Sequence, residues 1–221
     1  MSTLEKYKVT RAPATVHYVP EFVTEAEEQR LLELVYAAPR PRWTQLAHRR
    51  LQNWGGLPHP RGMLPEQIPT WLQAPMERIA ALGCFGELRP NHVLVNEYLP
   101  GQGIMPHTDG PLFAPVITTV TLGSHALLDL YRPRQDDSQE ASPAEPEAVG
   151  SLLLARRSLL VVRDDAYHHL LHGIAARTED TVTDAVLNGA EQAAGSRLQR
   201  QTRVSLTIRH VPKVLKAKLR L

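Results

Sequence analysis

A chain of 221 residues with 43% hydrophobic side chains can bury one substantial core, and its 13 Gly and 18 Pro argue against a helical bundle. The formal charge of +2 is too small to imply a partner by itself, and a single cysteine, Cys84, excludes an intrachain disulfide and suits a reducing compartment. No run approaches the roughly 20 apolar residues needed to span a bilayer, and residues 1–20 lack the apolar stretch of a secretory signal, so the expectation is cytoplasm or nucleus with no membrane partner.

In chain order, residues 16–20 read as a short strand. Thr24 and Glu27 have capping-box spacing, in which each side chain satisfies the other's free backbone N–H, and this predicts a helix over 25–36. Leu31, Leu32 and Val35 form its apolar stripe, and Pro39 and Pro41 end it. Residues 42–69 read as a loop rich in Pro and Gly that carries Trp43 and Trp54. A second helix is expected over 70–82, with Pro75 positioned to kink or divide it. Beyond Pro90, short apolar runs between turns predict strands over 92–98, 117–122, 126–131, 151–154, 159–163 and 203–210, the spacing of a sandwich or barrel. Two insertions interrupt the series: an acidic one over 132–150, and a polar one over 178–200 whose Ala-rich part suits a short helix. The expected fold is mainly β with flanking helices, in a single domain over 1–221.

Charge is unevenly distributed. Arg40, Arg42, Arg49, Arg50 and Arg61 fall within residues 37–65 without an acid, and residues 197–221 hold five Arg and three Lys, again without an acid. A basic face that meets phosphates is one reading, and an unevenly charged soluble surface is the other.

The chemistry concentrates in His107-Thr108-Asp109, followed by His172 and then by Arg203 and Arg209. Two imidazoles and one carboxylate can cap one face of a ferrous ion and leave the opposite positions open, as in non-heme iron oxygenases. Residues six apart on one strand share a face, so Arg203 and Arg209 can point the same way. A planar guanidinium there can hold the carboxylate of an anionic co-substrate bidentately. With ten histidines an isolated H-x-D carries little weight. The order around it carries more: Asn96-Glu97-Tyr98 ends a strand, Leu99-Pro100-Gly101 turns, and the H-x-D follows.

That order, with R-x5-R closing it, resembles the AlkB-like branch of the Fe(II)/2-oxoglutarate dioxygenases. The segments Asn53-Trp54-Gly55-Gly56-Leu57-Pro58, Asn91-His92-Val93-Leu94-Val95-Asn96 and Arg203-Val204-Ser205-Leu206-Thr207-Ile208-Arg209 extend the likeness. It runs from about residue 16 onward and is weakest in the two insertions. The resemblance implies a double-stranded β-helix, or jelly roll. Residues 16–90 would supply N-terminal helices and a nucleotide-recognition lid, and residues 91–212 the core. It also implies Fe(II), 2-oxoglutarate and dioxygen. By position, His107, Asp109 and His172 would bind the catalytic metal. Asn96 and Tyr98 would contact 2-oxoglutarate, Arg203 would pair with its distal carboxylate, and Arg209 would lie near its metal-bound end. His168 and His169 compete with His172 as third ligand. Gly173-Ile174 after His172 follows the family pattern.

The implied substrate is an alkylated base of DNA or RNA, single-stranded or flipped out of a duplex, with demethylation as the outcome. Arg40, Arg42, Arg49 and Arg50 would meet phosphates, and Trp43 or Trp54 would stack on a base, the alternative being that both pack under the loop as core. Repair members carry an acidic residue shortly after the H-x-D, where this chain has Gly110-Pro111-Leu112. Two alternatives stay open: a nucleic-acid-binding protein with a weak or vestigial dioxygenase site, and a protein side-chain oxidase on the same fold.

Overall fold

Alternation along one strand organises the molecule. In Arg203–Arg209, the side chains of Val204, Leu206 and Ile208 are fully buried on one side, while Arg203, Ser205, Thr207 and Arg209 face a cavity on the other. The computed structural model describes residues 3–134, 145–189 and 193–216. This strand lies in the middle of an antiparallel sheet with the order Val16–Val19, Leu159–Arg163, Val116–Leu122, Arg203–Arg209, His92–Tyr98, Arg49–Trp54, Thr44–Leu46. A second antiparallel sheet has the order Glu147–Leu154, Ala126–Arg132, Leu171–Ile174, Ile104–His107. The two face each other as a jelly roll.

Each face of the large sheet has its own core. Outward, Val93, Val95, Val120, Leu122, Leu159 and Val161 join the strand's three aliphatics against Leu31, Val35, Leu72 and Ile79 of two helices. Each fully buried aliphatic contributes about 1.5–3 kcal/mol by leaving water, so Leu206→Ala alone costs about 2–5 kcal/mol. Inward, Tyr98, Leu160 and Val162 meet Leu128, Leu154 and Ile174 of the small sheet. The small sheet's outer face is also covered, where Leu127 and Leu153 pack on Val182, Val186 and Leu198 from the second insertion. There the Asn188 side chain accepts from the Leu153 N–H and donates to the Leu153 carbonyl, at 2.8 and 2.9 Å.

The first helix, Glu25–Tyr36, starts at the capping box: Thr24 Oγ1 accepts from the Glu27 N–H at 3.2 Å, and Glu27 Oε2 accepts from the Thr24 N–H at 2.7 Å. The second, Thr70–Ala80, is continuous through Pro75, which is buried within it. The larger departure is in residues 42–69. Instead of a loop, Thr44–Leu46 and Arg49–Trp54 form a hairpin that extends the large sheet, Arg50 opposite Glu97 and Trp54 opposite Val93. Polar cross-strand pairs hold this hairpin, so it lacks the apolar alternation that marks the other strands. Near the acidic insertion, Glu147–Leu154 is longer than expected, and residues 135–144 lie outside the described residues. In the second insertion, residues 190–192 lie outside the described residues, and the described part forms no helix, contrary to the short Ala-rich one expected; Glu179–Thr181 pairs instead with Arg197–Gln199. Among the described residues no helix is long and apolar enough to cross a membrane.

Candidate active site

A cavity of about 270 Å³ lies between the sheets. His107 and His172 enter it from the small sheet, where they are direct cross-strand partners with ring centroids 4.4 Å apart. One ligand atom from each of His107, Asp109 and His172 can be chosen so that all lie within 4.8 Å of one another, a set able to hold a metal ion. His168 and His169 are exposed on the short helix Asp164–His169 and are not in that set.

Local backbone explains how the set forms. The turn before the H-x-D is closed by the Gln102 N–H donating to the Leu99 carbonyl at 2.9 Å, and Gly101 takes φ +84°, which a side chain disfavours. His172 pairs with His107 and Ile174 with Ile104, two steps on one strand against three on the other. The Ile104–His107 strand therefore carries a bulge. Ile104 and His107 both line the cavity, and Met105 is turned out, 80% exposed. The bulged backbone comes so close to Gly173 that a Cβ there would sit 3.0 Å from Pro106 N.

The protonation states suit a metal. His107 Nδ1 lies 2.9 Å from the Met105 carbonyl, which can only accept, so Nδ1 carries the proton and Nε2 keeps a free lone pair. His107 Nε2 lies 3.9 Å from Asp109 Oδ1. Burial, and then the neighbouring His107, pull the His172 pKa down to about 4, so its ring is neutral at physiological pH. Arg209 donates to Asp109 Oδ2 at 3.0 Å and rests on the Phe113 ring at 3.8 Å, leaving Oδ1 toward His107.

The other end of the cavity holds Arg203, which is buried and stacked 5.7 Å from the Tyr98 ring centroid. It donates once to Thr121 Oγ1 at 2.9 Å, and its Nε has no partner. Burial lowers its pKa to about 10, which still leaves a cation at neutral pH. No carboxylate among the described residues pairs with it. A buried guanidinium with an open donor fits a carboxylate ligand. Asn96 and Tyr98 line the same cavity, and Asn96 Oδ1 accepts from Arg49 Nε at 3.2 Å.

Of the five expected nucleic-acid contacts, the structure redirects three. Arg42 donates twice to Glu66, at 2.7 Å each, and covers Trp54 at 4.4 Å. Arg50 donates twice to the buried Glu97, at 2.6 and 2.9 Å, and covers Trp43 at 4.1 Å. Trp43 also stacks against Tyr36. These guanidinium charges are met inside the fold, and Trp43 is already covered. Arg49 turns toward the cavity, and Arg40 is exposed. The carboxylates were invisible in sequence, because Glu66 and Glu97 lie 24 and 47 residues from their partners. Thr121 was missed too, although alternation from Ile117 and Thr119, which line the cavity, puts it on the same face.

Comparison with known proteins gives a consistent result. A family model described as the 2OG-Fe(II) oxygenase superfamily matches residues 36–209. The chain is 55% identical to the "Probable RNA/DNA demethylase ALKBH6" of Danio rerio, over 98% of this chain and 94% of that protein. Among solved structures, OsALKBH1 superposes with a TM-score of 0.56 at 13% identity, covering 89% of this chain and 98% of its own. An oxidoreductase of the 2OG-Fe(II) oxygenase family from Burkholderia pseudomallei superposes with a TM-score of 0.55 at 11% identity, covering 97% of this chain and 94% of its own. At such low identity the two structures speak to the fold alone.

Proposed function

Because the chain belongs to the 2OG-Fe(II) oxygenase superfamily, we propose that it demethylates an alkylated base in single-stranded or flipped-out nucleic acid. The protein is a dioxygenase that uses Fe(II), 2-oxoglutarate and dioxygen. When bound, these supply the oxidising power that hydroxylates a substrate C–H, and an N-methyl group so treated leaves as formaldehyde.

The residues divide the work. His107, Asp109 and His172 hold the iron: two neutral imidazoles and one carboxylate oxygen. Met105 fixes the His107 tautomer through its carbonyl, and Arg209 occupies the second Asp109 oxygen, so each ligand presents one atom. Arg203 holds the distal carboxylate of 2-oxoglutarate at the closed end of the cavity, with Thr121 fixing the guanidinium plane. Asn96 and Tyr98 contact the same molecule from the next strand.

Arg203 carries the co-substrate assignment: a buried cation without a counter-charge faces a cavity whose other end bears the His-Asp-His set. The substrate reading is supported by the name of the fish relative, "Probable RNA/DNA demethylase", and by Arg49 at the cavity wall. The test is succinate formation with Fe(II) and air, comparing single-stranded oligonucleotides that carry N-methylated bases with methylated peptides. Stimulation by oligonucleotide together with formaldehyde release is expected. Stimulation by peptide alone would replace this reading with side-chain oxidation.

A further inference from the structure

A cavity of about 270 Å³ is smaller than the roughly 300–1,000 Å³ that typically encloses a drug-sized ligand. It has room for the co-substrate and a reacting group, and the rest of the substrate must lie outside. Directly beside it runs a groove of about 700 Å³ between the hairpin turn at Leu46, Ala47 and His48 and the small sheet's edge strand, Ile104–His107. The groove adjoins the cavity: Arg49, Ile104, His107 and Ile174 line both.

Three features give the groove a specific chemistry. Met105 is 80% exposed and Leu46 37% exposed, one on the edge strand and one on the hairpin, and both line the groove. The bulge that aims His107 inward also turns Met105 outward, so an apolar side chain stands in solvent beside a candidate ligand. Such thioethers pack well against the edges and faces of flat rings. Finally, Arg49 sits where groove meets cavity. Its Nε is bonded to Asn96, and no carboxylate among the described residues pairs with its guanidinium.

We infer that the groove receives the nucleotide adjoining the oxidised one: its base lies between Met105 and Leu46, and Arg49 meets the phosphate that links the two. This rests on the nucleic-acid reading above. A ring slot alone would suit any planar group. A cation at the junction of slot and cavity matches a ring joined to the reacting group through an anion.

The experiment is fluorescence anisotropy with short fluorescein-labelled single strands of DNA and of RNA, using the full chain. The double variant Leu46→Ala/Met105→Ala removes only exposed side chains and keeps the Met105 carbonyl that orients His107. It is expected to weaken binding by roughly 3- to 10-fold. Leu88→Ala, also exposed but lining neither cavity nor groove, should bind as wild type. Arg49→Gln should lower the slope of log K against log salt by about 0.7, the signature of one lost phosphate contact on a single strand. Wild-type affinity and an unchanged salt slope in these variants would overturn the groove while leaving the nucleic-acid reading intact. Failure of the wild-type protein to bind either strand would overturn that reading, and the groove with it.

Discussion

Arg50 and Arg203 lie on either side of one strand, His92–Tyr98, yet the fold treats them in opposite ways. Arg50 sits across from Glu97 and is held by both its oxygens, while Arg203 sits across from Tyr98 and finds only one threonine hydroxyl. A buried charge is costly unless paired. In the hairpin the protein supplies the partner itself. In the cavity no carboxylate among the described residues meets the arginine, which suits the anion proposed to bind there. A sequence full of arginines thus divides into those that hold the structure and those that await a ligand, and the divide follows the placement of carboxylates.

The largest expected effect concerns a carboxylate at the boundary of the two classes. Asp109 pairs with Arg209 through one oxygen and turns the other toward His107, where the proposed metal would sit. Asp109→Ala should lower succinate formation by more than about 100-fold, since changes one step outside a metal's ligands already cost about 10–100-fold. Iron binding, measured by equilibrium dialysis, should fall in parallel. Retained iron with full turnover would remove Asp109 from the ligand set.

Next comes a pair of opposite sign. Arg50→Met strands the buried Glu97 and should destabilise. Because Arg50 is 36% exposed, the cost is set below that of a fully buried pair, at about 1–3 kcal/mol, or roughly 2–12 °C in Tm for a chain of this size. Arg203→Met removes an unpaired buried cation, so the ligand-free protein should melt no lower than wild type and up to a few degrees higher. In that variant 2-oxoglutarate should no longer raise Tm. If Arg203→Met melts as low as Arg50→Met without ligand, Arg203 is structural and the contrast collapses.

Much of this was legible in the chain, and the reasons are specific. Period-two alternation is strong in Arg203–Arg209, which has one face on the helical core and one on the cavity, while Leu159–Arg163 and the start of His92–Tyr98 read as short apolar runs because both of their faces are covered. The capping box is local, needing only Thr24 and Glu27. What stayed hidden is non-local. The Arg49–Trp54 strand is held by Glu97, and the bulge at Met105 exists only relative to its neighbour, Leu171–Ile174. The stacking assigned to Trp43 from sequence likewise depended on not seeing Arg50 and Tyr36 against it.

A third cluster extends the comparison to pH. Asp180, in the second insertion, is fully buried and is held by Arg200 at 2.6 and 2.7 Å, with His125 at 3.2 Å and Arg177 at 3.1 Å. Burial alone would raise its pKa, but the close approach of His125, the hydrogen bonds from Arg200 and the nearby arginine charges outweigh it and hold the carboxyl well below the usual range. The unfolded chain, with an Asp pKa of about 3.9, therefore takes up the proton first. The stabilisation is complete above that pH and drains away as the solution becomes more acid. Wild-type Tm should fall more steeply below about pH 4 than that of Asp180→Asn, which lacks the titrating group. Parallel curves would mean that the cluster does not stabilise the folded state.

The smallest effect decides the role of Trp43. Its ring already lies under Arg50 at 4.1 Å and beside Tyr36 at 6.4 Å. If its role is to support the hairpin, Trp43→Leu loses mainly a cation–π contact worth about 0.5–1 kcal/mol at a partly exposed site. That is roughly 1–4 °C in Tm, with no change in affinity for single strands. If instead it stacks on a base, about 1–3 kcal/mol of binding goes with it, a loss of roughly 5- to 150-fold. The two outcomes differ by more than the error of an anisotropy titration. A small thermal shift with unchanged affinity would leave the aromatic on the structural side of the divide, and base contact to the groove at Met105.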